Sequence, residues 1–389
     1  MRKFVTVLSL LIIIAVVAGC GGDSSTGDNT TVYETPASLA PANSHMGGSV
    51  QGTALALSRT VSTFAGTAAS FGFINDTGSA ARFYNPNGIT TDGTNFYVAD
   101  YSNNAIRKID STGKVTTLQC KDFDTGAVVF FSGPTDITTD GTNLYVVDSG
   151  HNSIRIIDAA NKVITIGSTA SYAGSVDSAV KTDVRFNQPI GITTDGENLY
   201  VTDTGNHTIR RIVISSKAVT TMAGSPGNPG PTDGIKAVAR FNQPARITTD
   251  GKYLYATDFL NRTIRKIDIL TGAVSTIAGK AGTTPGTDDA DAVVGTDARF
   301  NQPNGITTDG TNLYVTDSYN NTIRRISLAA PYSVEKISGI TYFSDQLQST
   351  GHVDSAEGTP NYWTPIGITT DGTSIFVADR GNHTIRKIQ

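Results

Sequence analysis

The sequence is poor in several things that would have pointed to particular chemistries. It has 389 residues, and only two of them are cysteines, three methionines, one tryptophan and five histidines. Two cysteines cannot hold a disulfide-stapled scaffold or a Cys-rich zinc site together. Charged residues make up only 16%, and the basic ones form no concentrated patch. Eleven of them fall in one recurring slot, "IRKI", "IRRI" or "IRII". No window shows helical periodicity, so helical bundles and doubly wound α/β folds are excluded. The one long apolar run, Phe4–Val17, is shorter than the roughly 20 residues that span a bilayer.

That run is informative where it stands. Arg2 and Lys3 precede it and "VAGC" follows it, ending at Cys20. A basic start, a short apolar stretch and small residues make an export signal. "VAGC" resembles the lipobox at which bacterial lipoproteins are cleaved and lipidated on cysteine. The resemblance implies a signal peptide over 1–19, lipidated Cys20, and a protein anchored to the cell envelope. Gly21 after the cysteine leans toward the outer membrane or cell surface. Cys120 then remains as the one mature thiol, a buried structural one at the end of the strand-like "VTTLQC". Removing Arg2 and Lys3 from the 30 basic residues leaves 28 against 34 acidic, a net charge near −6. That balance argues against nucleic acid as a partner. Residues 20–60 are rich in Gly, Ser, Thr, Asn and Ala and read as a flexible tether, "ALALS" included.

What the sequence does have is repetition. "RFNQPIGITTDGENLYVTDTGNHTIRRI" starts at Arg185, with close copies at Arg240 and Arg299 and looser ones at Arg82, Phe130 and Asn361. The "TTDG" aspartates Asp92, Asp140, Asp195, Asp250, Asp309 and Asp371 are 48 to 62 residues apart, a period of solenoids and propellers. Within each copy "GITTD" is a β-branched run ended by the turn signal Asp-Gly, "NLYVTD" a second strand, "TIRRI" a third and "VTTMAG" a fourth. Four short strands cannot bury both faces of a sheet alone, but radial packing of several copies can. The fourth strand begins at Val61, Val115, Val163, Val219, Val274 and Val334. The first of these precedes the first repeat, and the last repeat has none after it. The reading is therefore an all-β, six-bladed β-propeller over 61–389, closed by the N-terminal strand joining the last blade, which removes an open sheet edge.

The pattern "P.GITTDG..LYVTD..N.TIRKI…VTT.AG" resembles NHL repeats, and six copies carry it. The resemblance implies the six-bladed fold and leaves function open, because that fold hosts binding modules and enzymes alike.

The repeated residues read as structure. The strand-b tyrosines (Tyr97, Tyr145, Tyr200, Tyr255, Tyr314, with Phe376) read as blade packing, and the aromatics before strand a as plugs between blades. The Asp ending strand b, with the Asn that follows, suits a turn. The strand-c arginines are expected to pair between strands. Acidic residues recurring in the inserts (Asp76, Asp177, Asp233, Asp288, Asp354) read as loop-shaping, with calcium at the 285–297 insert as the alternative.

Site candidates are the exceptions to the repeat. The b–c turns and the d–a inserts share one face, which carries the individuality of the chain. After the Pro-X pair four blades have Gly, but blade 2 has Asp136 and blade 4 Arg246. Asn87, Thr135 and Asn304 stand beside them in register. Odd residues on the b–c turns are Tyr101, Phe259, Tyr319 and Arg380, and Trp363 lies just ahead of the last a strand. Charged groups with aromatic neighbours at a channel mouth suggest a ligand site; the alternative is that Asp136 and Arg246 pair with each other. Peptide-amidating lyases resemble this fold and use histidine-bound zinc, but His207 and His383 stand half a turn apart, too far to share one ion. Gluconolactonase-like propellers hold a divalent cation; Asp136 with Asn87 and Asn304 echoes that set, and the matching acidic strand is missing. The expectation is a monomeric, lipid-anchored binding platform for an envelope protein, peptide or glycan, without a cofactor. The alternative is a metal-dependent hydrolase or lyase at the channel mouth.

Overall fold

Each repeat folds as an antiparallel sheet with strands in sequence order. In blade 1 these are strand a, Pro86–Thr91; b, Phe96–Asp100; c, Ala105–Ile109; and d, Val115–Thr117. The computed structural model describes residues 52–167, 172–282, 290–340, 353–355 and 359–389. The a strands of the other blades are Pro134–Thr139, Ile192–Thr194, Pro244–Thr249, Pro303–Thr308 and Pro365–Thr370. Each packs against the a strands on both sides, and the last packs against the first, so they form a closed inner ring. Six sheets in a ring make a six-bladed β-propeller.

Closure follows the expected route. Val61–Ala65 pairs with Thr384–Ile388, with Val61 opposite Ile388 and Ser62 opposite Lys387. It is the fourth strand of the last blade. Two sheets gain a fifth strand that the repeat did not foretell. Lys121–Asp122 pairs with strand d of blade 2, and Gly234–Ile235 with strand d of blade 4. Both come from the variable inserts.

The core is divided among the seams between blades. One cluster joins Tyr145 and Val147 of blade 2 to Phe186, Leu199 and Val201 of blade 3, and others repeat this around the ring. The strand-b tyrosines are buried as expected, and they have a second role that the pattern did not reveal. Each hydroxyl donates to the Asp-Gly aspartate of its own blade: Tyr97 to Asp92 at 2.9 Å, Tyr200 to Asp195 at 2.7 Å, Tyr314 to Asp309 at 2.8 Å. A buried phenol needs such a partner, and the bond ties strand b to the turn that begins it.

Composition placed residues 52–60 in the tether, but they run along blades 5 and 6. Leu55 is buried in the cluster of Tyr314, Ile323, Ile375 and Ile388. Its amide donates to Asp309 Oδ2 at 3.0 Å, and Gln389 N donates to Thr60 O. One leucine in a seam, with the turn carboxylate of Asp309 accepting its amide, suffices to order a polar segment. Cys20 and residues 1–51 lie outside the described residues, as do His45, Asp288 and His352. Among the described residues no helix is long and apolar enough to cross a membrane.

Candidate functional site

The repeated aspartates and arginines make a buried frame under the b–c face. In blade 3, Asp203 Oδ1 accepts from Asn187 N at 2.7 Å. Its Oδ2 accepts from Asn206 Nδ2 at 2.8 Å and from Arg210 Nη1 at 2.6 Å. Arg210 Nη2 reaches Asp177 Oδ1 of the preceding insert at 2.7 Å, and the guanidinium lies over the Phe186 ring. Burial pushes the Asp203 carboxyl up, against the pull of Arg210. The same arrangement recurs at Arg107, Arg265, Arg324 and Arg386, all fully buried. The expected pairing of the arginines is thus met. The insert carboxylates serve as their second anchors: Asp177, Asp233, Asp291 and Asp354, with Asn75 in blade 1. Asp291 and Asn75 therefore hold the positions that sequence reading gave to Asp288 and Asp76. Inserts of unequal length hide that register.

Blade 2 departs from the frame. His151 stands where the others have Asn, with Nδ1 2.8 Å from Asp148 Oδ2. Arg155 bonds Asp148 and Thr165, and no insert carboxylate reaches it among the described residues.

The residue closing each b–c turn is left-handed: Asn104, Asn152, His207, Arg262, Asn321 and His383. In five blades its side chain accepts from the backbone of the next blade. Asn104 Oδ1 takes Gly133 N, Asn152 takes Gln188 N, and Asn321 takes Thr364 N. His207 Nδ1 takes Gln243 N at 3.0 Å, and His383 Nδ1 takes Asn85 N at 3.2 Å. The two aligned histidines are seam staples, which explains their recurrence. Each must be neutral at Nδ1 to accept, and burial lowers both pKa values.

Asp136 and Arg246 do meet, in the middle of the ring. Arg246 Nε is 3.4 Å from Asp136 Oδ1. Nη1 donates to Asn304 Oδ1 at 2.5 Å, and Nη2 to Asn87 Oδ1 and Thr135 O at 2.6 Å each. Asp136 Oδ2 accepts from Ile192 N at 3.1 Å. Both side chains are buried, Arg246 to 3% and Asp136 to 7% exposure. Burial pushes the carboxyl up and the guanidinium down, and each partner opposes the shift of the other. The four glycines in this register explain the plan. A Cβ on Gly88 would sit 2.5 Å from Asp136 Cα, and one on Gly191 2.6 Å from Arg246 Cα. At Gly305 and Gly367 a Cβ would meet the carbonyls of Ile366 and Asn87 at 1.9 and 2.1 Å. There is room at this level for one ion pair and no more. The pair with its two asparagines plugs the channel.

Above the plug, the first position of the b–c turn is Tyr101, Ser149, Thr204, Phe259, Ser318 and Arg380. Thr204 and Ser318 spend their hydroxyls on the Pro244 and Pro365 carbonyls of the next blade. The Arg380 guanidinium lies over the Tyr101 ring at 5.6 Å. Trp363 packs on the Gly381 backbone and is exposed. Tyr319 stands one position later than the others, in register with Leu260, and is exposed, while Phe259 is half-buried on the turn of blade 4. The candidates thus form two groups: the buried plug, and a rim to which Arg380 and Tyr101 belong.

Beside the rim runs an open cleft of about 700 Å³ across blades 1 to 3. Its lining includes Tyr84, Tyr101, Ser132, Thr135, Ser149 and Gln188. Tyr84 was not foreseen. Its ring stacks on exposed Phe71 at 4.7 Å, and Phe73 is exposed nearby in the same insert. The signal was available: in the same register blade 3 has Ala173 and Ser175, and blade 4 has Pro229 and Pro231. Among the described residues no three His, Cys, Asp or Glu side chains converge as a metal-binding set.

A model described as "NHL repeat" matches residues 186–212, which is the blade 3 copy. That copy matches the NHL repeat. An NHL repeat-containing protein 2 from Bos taurus is 30% identical over 184 residues, 42% of this chain and 24% of that protein. The chain thus spans about a quarter of the length of that curated relative. Among solved structures, a structural genomics protein of unknown function from Bacteroides thetaiotaomicron aligns with TM-score 0.63 at 19% identity, over 85% of this chain and 75% of its own. A protein described as an auxiliary nutrient binding protein from the same organism aligns with TM-score 0.62 at 15% identity, over 85% and 76%. At such identities the likeness shows the fold alone, the β-propeller.

Proposed function

We propose that this NHL propeller is a binding platform whose ligand lies on the face of the b–c turns and d–a inserts, in the cleft beside Tyr101. One observation carries the reading. The channel is plugged by the Asp136–Arg246 pair, while a cleft of about 700 Å³ and the unrepeated side chains lie on one face above it. A rigid frame with one individual surface suits recognition. The solved structure described as a nutrient binding protein supports it as a use to which the same fold is put.

The N-terminal sequence supports export and lipidation at Cys20, which would tether the platform to the cell envelope as a monomer. Its ligand is then an envelope protein, peptide or glycan. The alternative, a metal-dependent hydrolase or lyase, needs a convergent donor set. Asp136, the acid nearest the channel axis, is committed to Arg246 and Ile192 N.

The test is equilibrium binding of protein, peptide and glycan fractions of envelope extract to the purified full-length chain, with and without chelator. Ser149→Trp, which fills the cleft, is expected to abolish saturable binding, and chelator to leave it unchanged. Binding that survives Ser149→Trp would remove the cleft from the reading. Binding or turnover lost on chelation would favour the metal enzyme.

A further inference from the structure

The chemistry of the cleft narrows the ligand class, on the assumption that the platform reading holds. The lining is hydroxyl, amide, glycine and tyrosine, with Ile190 its one aliphatic side chain. No lining residue is charged. The side chains of Ser132, Ser149 and Gln188 make no hydrogen bond among the described residues, and Asn104 uses only its oxygen. This lining lacks the run of aliphatic pockets that grooves for apolar peptide side chains present. A row of unengaged donors and acceptors beside flat aromatic rings suits a ligand with hydroxyls on its edges and C–H groups on its faces.

The aromatic shelf is placed accordingly. Phe71 and Tyr84 stack on one another at the outer end of the cleft. Tyr101 stands at its inner end, and behind it lies Arg380. Every buried guanidinium of the frame faces a carboxylate, and so does Arg246. Arg380 does not: it has no carboxylate partner among the described residues, and its Nε is buried without a hydrogen bond. It is close enough to Arg246 for the two guanidinium charges to repel. The rim therefore carries one uncompensated positive charge beside a neutral, hydroxyl-lined groove.

We propose that the cleft binds an oligosaccharide carrying a carboxylate, with sugar rings laid on Tyr84 and Tyr101 and the acid group held by Arg380. The guanidinium fork matches a carboxylate in two-point geometry.

The test is a binding screen of the purified full-length chain against uronate- and sialate-containing tetrasaccharides, their methyl esters, neutral maltotetraose and a Glu-rich hexapeptide. At least one carboxylate-bearing sugar is expected to bind. Esterification and Arg380→Gln should each weaken it about tenfold, the loss of one charge-assisted contact, and raised salt should weaken it as well. Ser149→Trp should abolish it. Arg380 takes no part in the buried frame, so its variant should melt with the wild type, and Tyr101→Ala provides a second, independent loss. Neutral sugar bound as tightly as the acid, or the hexapeptide bound in its place, overturns the inference and leaves the platform standing. Failure of every carboxylate sugar also overturns it, and the extract fractions then judge the platform separately.

Discussion

Arg246 of blade 4 and Asp136 of blade 2 lie 3.4 Å apart, Nε to Oδ1, although a whole blade separates them in the ring. The backbone of an inner strand touches only its neighbours. This ion pair therefore ties together sheets that the backbone does not join, and Asn87 and Asn304 extend the tie to blades 1 and 5.

Removing one partner should be costly. Arg246→Met or Asp136→Asn each leaves a buried charge or its hydrogen-bond partners uncompensated, and a loss of about 3–5 kcal/mol is expected. The double variant should lose less than the sum. Denaturant unfolding of the four proteins checks this, and strict additivity would mean that the pair is not coupled.

The seam histidines give a pH dependence. His207 and His383 accept backbone hydrogens at Nδ1, and burial holds both below the ordinary imidazole value. Protonation is therefore taken up more readily by the unfolded chain. The stability these groups contribute is present above about pH 6.5 and is lost as pH falls through their lowered folded values. The melting temperature should drop between pH 7 and 5, and His207→Asn with His383→Asn should flatten that drop. Asn is the residue that three other blades use at this position.

The arginine frame offers a comparison inside one molecule. Arg210 bonds two carboxylates and two carbonyls, whereas Arg155 reaches one carboxylate and a threonine and is 13% exposed. Lysine cannot fork to all these acceptors. Arg210→Lys should cost about 2–3 kcal/mol by stranding buried acceptors, and Arg155→Lys about 1 kcal/mol. Equal costs would show that the insert carboxylate contributes nothing.

Leu55→Ala should destabilise the propeller by about 2 kcal/mol, the low end for a buried leucine. Calorimetry on the full chain checks it. An unchanged melting temperature would return residues 52–60 to the tether.

Blade number, closing strand and the location of individuality on one face were all legible in the sequence. Strand alternation and the Asp-Gly turn recur at a nearly constant period, and local rules govern them. The meeting of Asp136 with Arg246 was legible only as one of two alternatives. What decided it is a contact between residues far apart in the chain, at a level where Gly88 and Gly191 leave room beside the neighbouring strands. The recurring insert residues were read as loop-shaping rather than as arginine anchors, and their register was off by one residue in blade 1 and three in blade 5. Inserts of unequal length carry no register of their own until they fold back on strand c. The stack of Phe71 on Tyr84 was missed for the same reason. Leu55 was missed because composition averages over a window, and one side chain was enough to order it.

The strand that completes the last sheet, Val61–Ala65, leaves the ribosome before any of the strands it closes, and its partner Thr384–Ile388 follows every other strand of the ring. Until that partner has emerged, the molecule is an open arc with two raw ends. A chain stalled or cut before it is left with ladder bonds unmet at both ends and a ready surface for joining another such arc.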